Sequence, residues 1–219
     1  MSITVLLADD HAMVRDGLKL LLESQQDITV VALASNGREA VKLAMKHTPD
    51  VVLLDIAMPE LNGIEAALKI HNTLPRTRII ILSMHATSEH VFRALQAGAD
   101  GYLVKESAGG EVIKAVRSVI GGRRYLSEKI ATAAKGMNVS ERGTGAAKSP
   151  LESLSERERE VLQFVVEGRS SADIAIAINL SPKTVETYRS RIMQKLDVHD
   201  VAGLVKFALQ HGVIGGESL

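Results

Sequence analysis

Five chemically matched side chains stand at the ends of short apolar runs. Asp9 and Asp10 follow ITVLLA, Asp55 follows VVLL, Ser83 follows RIIIL, and Lys105 follows GYLV. If these runs are neighbouring parallel strands, their carboxyl ends share one sheet edge, where open α/β sheets bind ligands. Three carboxylates gathered there repel one another unless a cation joins them. A donor set of oxygens without Cys selects a hard ion, and Mg²⁺, which takes a few carboxylates and keeps room for a phosphate, suits it. Lysine and serine then fit a phosphoryl group carried on one acid. Asp55 is the candidate nucleophile, forming an aspartyl phosphate whose oxygens Mg²⁺ and Lys105 neutralise. Each residue also has a plainer reading: Asp55 as a loop carboxylate, Asp10 as the cap of a helix starting near Met13, Ser83 as a turn residue, and Lys105 as half of a surface ion pair with Glu106.

The elements that must position these groups follow from periodicity. Strands are expected at 3–8, 28–34, 51–54, 78–82 and 101–104. Between them lie helical repeats such as Met13, Leu18, Leu21 and Leu22, and Val91 and Leu95 with Ala94 and Ala97. Five βα units in about 120 residues imply a doubly wound five-stranded parallel sheet, because parallel neighbours need crossover helices. The Met58-Pro59 and Asn62-Gly63 pairs turn the chain away after Asp55.

Residues 123–150 change character, ending in NVSERGTGAAKSP, and read as a linker whose flexible portion begins near Lys135. Residues 151–219 read as a small all-α domain of four helices. Ser155 with Glu158 forms a capping box ahead of Val161, Leu162, Val165 and Val166, and Gly168 ends that helix. A short helix over 172–178 stops at Asn179, and Ser181-Pro182 starts a third helix running to Leu196. A fourth spans 201–211. On the third helix Val185, Tyr188, Ile192 and Leu196 form the buried stripe. Lys183, Thr187, Ser190 and Gln194 lie opposite, flanked by Glu186 and Arg191. Helix, tight turn and helix is the arrangement that can enter a major groove.

Composition limits the alternatives. Without cysteine there is no disulfide, thiolate metal site or cysteine nucleophile. The first ten residues meet two acids before any long apolar stretch, so neither a signal peptide nor a membrane span is expected, and a cytoplasmic location is. Net charge is zero, with 12 Lys+Arg against 14 Asp+Glu in residues 1–122, 6 against 2 in 123–150, and 8 against 10 in 151–219. A slightly acidic helical domain is expected to bind DNA weakly as one copy, which calls for two copies on paired half-sites. The histidines show no ligand spacing; most are expected on the surface, with His11 and His85 near the edge of the site.

The set Asp9-Asp10, LLDIAMPELNG, ILSMH and AGADGYLVKE resembles the receiver domain of two-component response regulators, a flavodoxin-like fold. LSEREREVLQFVVEGRSSADIAIAINLSPKTVETYRSRIMQKL resembles the LuxR-type helix-turn-helix domain, and together the two resemble the NarL/FixJ class. The resemblance implies a receiver at 1–122, a linker at 123–150 and a DNA-binding domain at 151–219. It implies phosphoryl transfer from a sensor histidine kinase to Asp55, with Asp10, Asp55 and the backbone carbonyl of Ala57 binding Mg²⁺ and Asp9 assisting. Ser83 would bond the phosphoryl group, Tyr102 would rotate inward as a switch, and Lys105 would pair with the phosphoryl oxygens. Lys183 and Thr184 would contact phosphates, and Glu186, Thr187 and Ser190 would face bases, beside Arg191 and Gln194. Glu186 departs from the basic residue that some members carry. Double-stranded promoter DNA, RNA polymerase and, on phosphorylation, a second copy of the chain are the implied partners. The chain is not expected to be an enzyme in the usual sense. An aspartyl-phosphate phosphatase of the haloacid dehalogenase type would need a second Asp at position 57, where Ala stands. A DNA-binding regulator whose receiver serves only as an interaction module is the other alternative.

Overall fold

The computed structural model describes residues 2–84, 87–134 and 149–214. The chain divides into two compact units, Met1–Gly145 and Ala146–Leu219. In the first, strands β1 (Ile3–Ala8), β2 (Ile28–Ala34), β3 (Val51–Asp55), β4 (Arg78–Ser83), β5 (Gly101–Val104) and β6 (Tyr125–Leu126) form one parallel sheet ordered β2-β1-β3-β4-β5-β6. The sheet thus has six strands where five were expected. Tyr125 N–H donates to Asp100 O and Ser127 N–H to Tyr102 O, both at 3.0 Å, which lays the chain beside β5. A two-residue strand carries no alternation to read, and it lies in the stretch expected to be linker. A helix, α6 (Glu128–Ala134), follows it and buries Ile130.

Alternation along the strands divides the core between two faces, because successive side chains point to opposite sides. Val5, Leu7, Val51, Leu53, Ile80, Leu82 and Leu103 meet α1 (Ala12–Glu23) and α5 (Lys105–Ile120). Leu6, Ala8, Val52, Leu54, Ile79, Ile81 and Tyr102 face the side covered by α2 (Gly37–His47), α3 (Gly63–Thr73) and α4 (Ser88–Gln96). With both faces covered, β3 is fully buried along its length, which is why it reads as an unbroken apolar run ending in an acid. On α1, Leu18 and Leu22 are buried, but Met13 is 88% exposed; the expected stripe included it, yet it lies in the first turn, beyond the sheet.

The second unit begins with a 3₁₀ turn (Pro150–Ser153) and contains α7 (Glu156–Val166), α8 (Ser171–Ala177), α9 (Pro182–Leu196) and α10 (Val201–Gln210). The Ser155–Glu158 capping box forms reciprocally. Gly168, at φ +80°, ends α7, and Asn179, at φ +52°, makes the turn between α8 and α9. Asn tolerates this left-handed geometry better than most residues with a side chain. The core joins Leu162, Phe164, Ile174, Val185, Ile192 and Leu204 from all four helices. Among the described residues, no helix is long and apolar enough to cross a membrane.

Candidate functional site

Strand order reverses about β1, which lies between β2 and β3, so the crevice at this switch point opens beside the carboxyl ends of β1 and β3. Asp9, Asp10 and Asp55 come together there, and with His11 they place one ligand atom each within 4.8 Å of one another. Asp9 and Asp55 are buried, while Asp10 remains partly open. The loop after Asp55 is held closed: Gly63 N–H donates to Ile56 O at 2.9 Å, and Asn62 caps α3 by accepting from Ile64 N–H and Glu65 N–H. A side chain at position 63 would place its Cβ 1.9 Å from the Asp55 carbonyl oxygen, so only glycine lets α3 start this close to the strand.

Lys105 extends into the cluster from the end of β5. Its Nζ lies 2.9 Å from Asp9 Oδ2 and 3.0 Å from Asp55 Oδ2. The plainer reading of Lys105 as a surface partner of Glu106 does not describe this geometry, since Glu106 pairs with Lys129 at 2.6 Å instead. Burial pushes the Asp55 carboxyl up from 3.8 to about 6, with the Asp9 and Asp10 charges adding to the rise and Lys105 opposing it. For Lys105, burial alone would lower the pKa, but Asp55 and Asp9 outweigh it and the ammonium is held above its ordinary value. A cation among crowded carboxylates is therefore electrostatically favoured here.

Ser83 is buried at the end of β4, and its hydroxyl is hydrogen-bonded to that of Tyr102. Tyr102 is already fully buried, with burial pushing its phenol up to about 12. Ala57 lies two residues beyond Asp55, half-buried on the same loop. Asp10 does not cap α1. The N-cap is His11, which makes no side-chain capping bond and instead brings its Nδ1 2.8 Å from Asp10 Oδ1 and 3.3 Å from Asp9 Oδ1. Sequence reading gave His11 only a place near the edge, because an adjacent Asp-Asp-His run does not reveal where the imidazole turns. It also missed Arg15, whose Nη1 donates to Asp9 O at 2.6 Å. His90, expected on the surface, is buried in α4 against Thr87 Oγ1 at 2.8 Å, and His85 lies outside the described residues.

In the second unit, α9 buries Val185 and Ile192 and leaves Lys183, Glu186, Thr187, Ser190, Arg191 and Gln194 exposed, with Thr184 half-buried in the first turn. The Thr187 and Ser190 hydroxyls donate to the carbonyls of Lys183 and Glu186 at 3.0 and 3.1 Å. Glu186 accepts from Ser171 Oγ on α8 and lies 3.6 Å from Arg189, which itself donates to Ser171. Lys195 turns away from this face to Glu158 Oε2 at 2.7 Å and Ser153 O at 3.1 Å. Of the basic residues of α9, Lys183 and Arg191 carry the charge of the exposed face.

Residues 5–117 match the response regulator receiver domain, and residues 152–208 match the LuxR family of bacterial regulatory proteins. The chain is 41% identical over 217 residues to the response regulator UvrY of Escherichia coli, covering 99% of this chain and 98% of that one. It is 39% identical over 210 residues to the oxygen regulatory protein NreC of Staphylococcus epidermidis, covering 94% and 96%. Among solved structures it resembles the RcsB response regulator of Salmonella typhimurium, with a TM-score of 0.57, 26% identity, and coverage of 94% of this chain and 97% of that one. A receiver sheet carrying an acidic crevice, joined to a LuxR-type helix-turn-helix unit, thus places this chain among the two-component response regulators of the NarL/FixJ class.

Proposed function

We propose that Asp55 is the phosphoacceptor through which a sensor histidine kinase controls promoter binding by α9. One observation carries this reading: Lys105 bridges Asp9 and Asp55 at the mouth of the switch-point crevice. In the transfer step, a carboxylate oxygen of Asp55 attacks the phosphorus of a phosphohistidine. The P–O bond forms as the P–N bond breaks, and the electron pair leaves with the imidazole nitrogen. Lys105 then stands beside the new phosphoryl oxygens, and Ser83, now bonded to Tyr102, is the hydroxyl available to them. The donor set of Asp9, Asp10 and Asp55, with the carbonyl of Ala57, fits Mg²⁺, which when bound would neutralise phosphoryl charge. The chain's covalent chemistry is acceptance of one phosphoryl group rather than turnover of a substrate.

Phosphorylation adds charge at a buried edge and draws Ser83 and Lys105 toward it, favouring a second arrangement of the receiver. In the helical unit, Lys183 and Thr184 at the start of α9 would position on phosphates. Thr187, Ser190, Arg191 and Gln194 would face the groove, and Glu186, tethered to Ser171, would offer an acceptor to a cytosine amino group. The modest charge of this face supports pairing of two phosphorylated chains on promoter half-sites in the cytoplasm, where RNA polymerase would be met. The regulated part runs past 122 through β6 and α6, which pack on the receiver, so the linker is confined to the later portion of 123–150, ahead of the DNA-binding part at 151–219.

Incubation of the full chain with Mg²⁺ and a small acyl phosphate, followed by intact mass measurement, tests the acceptor. One phosphoryl group should be gained by the native chain and none by Asp55→Asn. Equal gain on both would overturn the assignment.

A further inference from the structure

A second cleft lies in the receiver unit between α2 and α3, with a volume of about 510 Å³. Arg38, Lys42 and Lys46 line it from α2 and Lys69 from α3, with Met45 and Leu61 between them. Four of the twelve cations in residues 1–122 thus border one groove of a region that is net acidic. Arg38 and Lys69 already take part in other interactions. Lys42 and Lys46 are exposed, and neither forms an ion pair among the described residues, so their charge is open to a partner. Met45, 52% exposed, adds an apolar contact at the same place.

We infer that this groove is a docking site for an acidic, amphipathic peptide segment of a partner protein. Arg38, Lys42 and Lys46 recur every four residues, so they form a line on one face of α2 about 12 Å long. A helical segment with carboxylates at the same interval pairs with that line, and an apolar side chain between them covers Met45 and Leu61. An extended nucleic acid fits less well, because no aromatic side chain lines the cleft to stack a base. Leu61 also belongs to the loop that follows Asp55, and a Cβ at Gly37 would lie 1.9 Å from its carbonyl oxygen. A docked segment therefore presses on the loop that leads from the phosphoacceptor to α3.

The test uses the full chain at low salt and a fluorescein-labelled helical peptide with Glu at four-residue intervals and Leu between, followed by anisotropy. Wild type should bind it, and the same peptide with Gln for Glu should bind at least about tenfold more weakly. The double variant Lys42→Glu/Lys46→Glu should lose at least about tenfold in affinity, and Lys42→Gln/Lys46→Gln should lose less, while both still accept phosphoryl from acyl phosphate. Equal binding of the Glu and Gln peptides, or unchanged affinity in both double variants, would overturn the inference. So would sedimentation with phosphatidylglycerol vesicles, or binding of inorganic triphosphate, in the absence of peptide binding.

Discussion

Replacing Asp55 with Asn should make the metal-free receiver more stable near neutral pH. A buried carboxyl raised from 3.8 to about 6 ionises at a cost to the folded state. At about 1.4 kcal/mol per pH unit, full ionisation costs about 3 kcal/mol. The sign follows from proton binding. Between the unfolded and folded pKa values the folded chain holds more protons, so this contribution is fully present below about pH 3.8 and is lost as pH rises through about 6. About 2 kcal/mol of the change should fall between about pH 4.5 and 7.5. The measurement is calorimetric unfolding in chelator, with the receiver transition identified as the one the substitution moves. Relative to Asp55→Asn, the wild-type transition should drop by roughly 5–10 °C across that range. A difference between the two proteins that stays constant with pH, or that widens toward acid, would refute the account of Asp55.

The remaining predictions concern the cations and caps around the two sites. Lys105→Met leaves Asp9 and Asp55 buried without their cation, so the receiver should lose about 3 kcal/mol in urea unfolding and phosphoryl acceptance should slow more than tenfold. Lys183→Ala should weaken binding to specific and unrelated duplexes alike and reduce the salt-dependence slope by about one, as read by anisotropy across a salt series. Glu158→Gln removes the charge from a capping box and from Lys195, and should cost the helical unit about 1–3 kcal/mol. Burial raises the Glu158 pKa but Lys195 and Ser155 outweigh it, so its folded value is depressed. That stability is present above its unfolded pKa and should disappear as pH falls through the folded one.

The strands of the receiver were legible because each buried run ends where a charged or polar residue begins. Asp55 and Ser83 prove to be the last residues of β3 and β4, while Asp9 and Lys105 directly follow β1 and β5. Strand β6 escaped because two residues cannot show alternation and its flanks read as linker. Met13 was misjudged because a helical stripe says which side faces the sheet but not where along the helix the sheet ends. The convergence of Asp9, Asp55 and Lys105 was readable once the runs were placed side by side, since parallel topology alone brings their ends together. The internal commitments of α9 were not. Lys195 and Arg189 count as basic residues in a sequence, but their partners Glu158 and Ser171 lie on other helices, and only packing reveals which charges face outward.

The central claim is that phosphoryl transfer to Asp55 governs DNA binding. A near-complete switch requires a bias of roughly 5 kcal/mol between the two receiver states, and a graded one requires less. The most direct measurement is anisotropy of a labelled promoter duplex titrated with native chain and with Asp55→Asn, each before and after treatment with acyl phosphate and Mg²⁺ at fixed salt. Affinity should rise at least about tenfold for the treated native chain only. Equal affinity before and after treatment, or the same rise in Asp55→Asn, would contradict it.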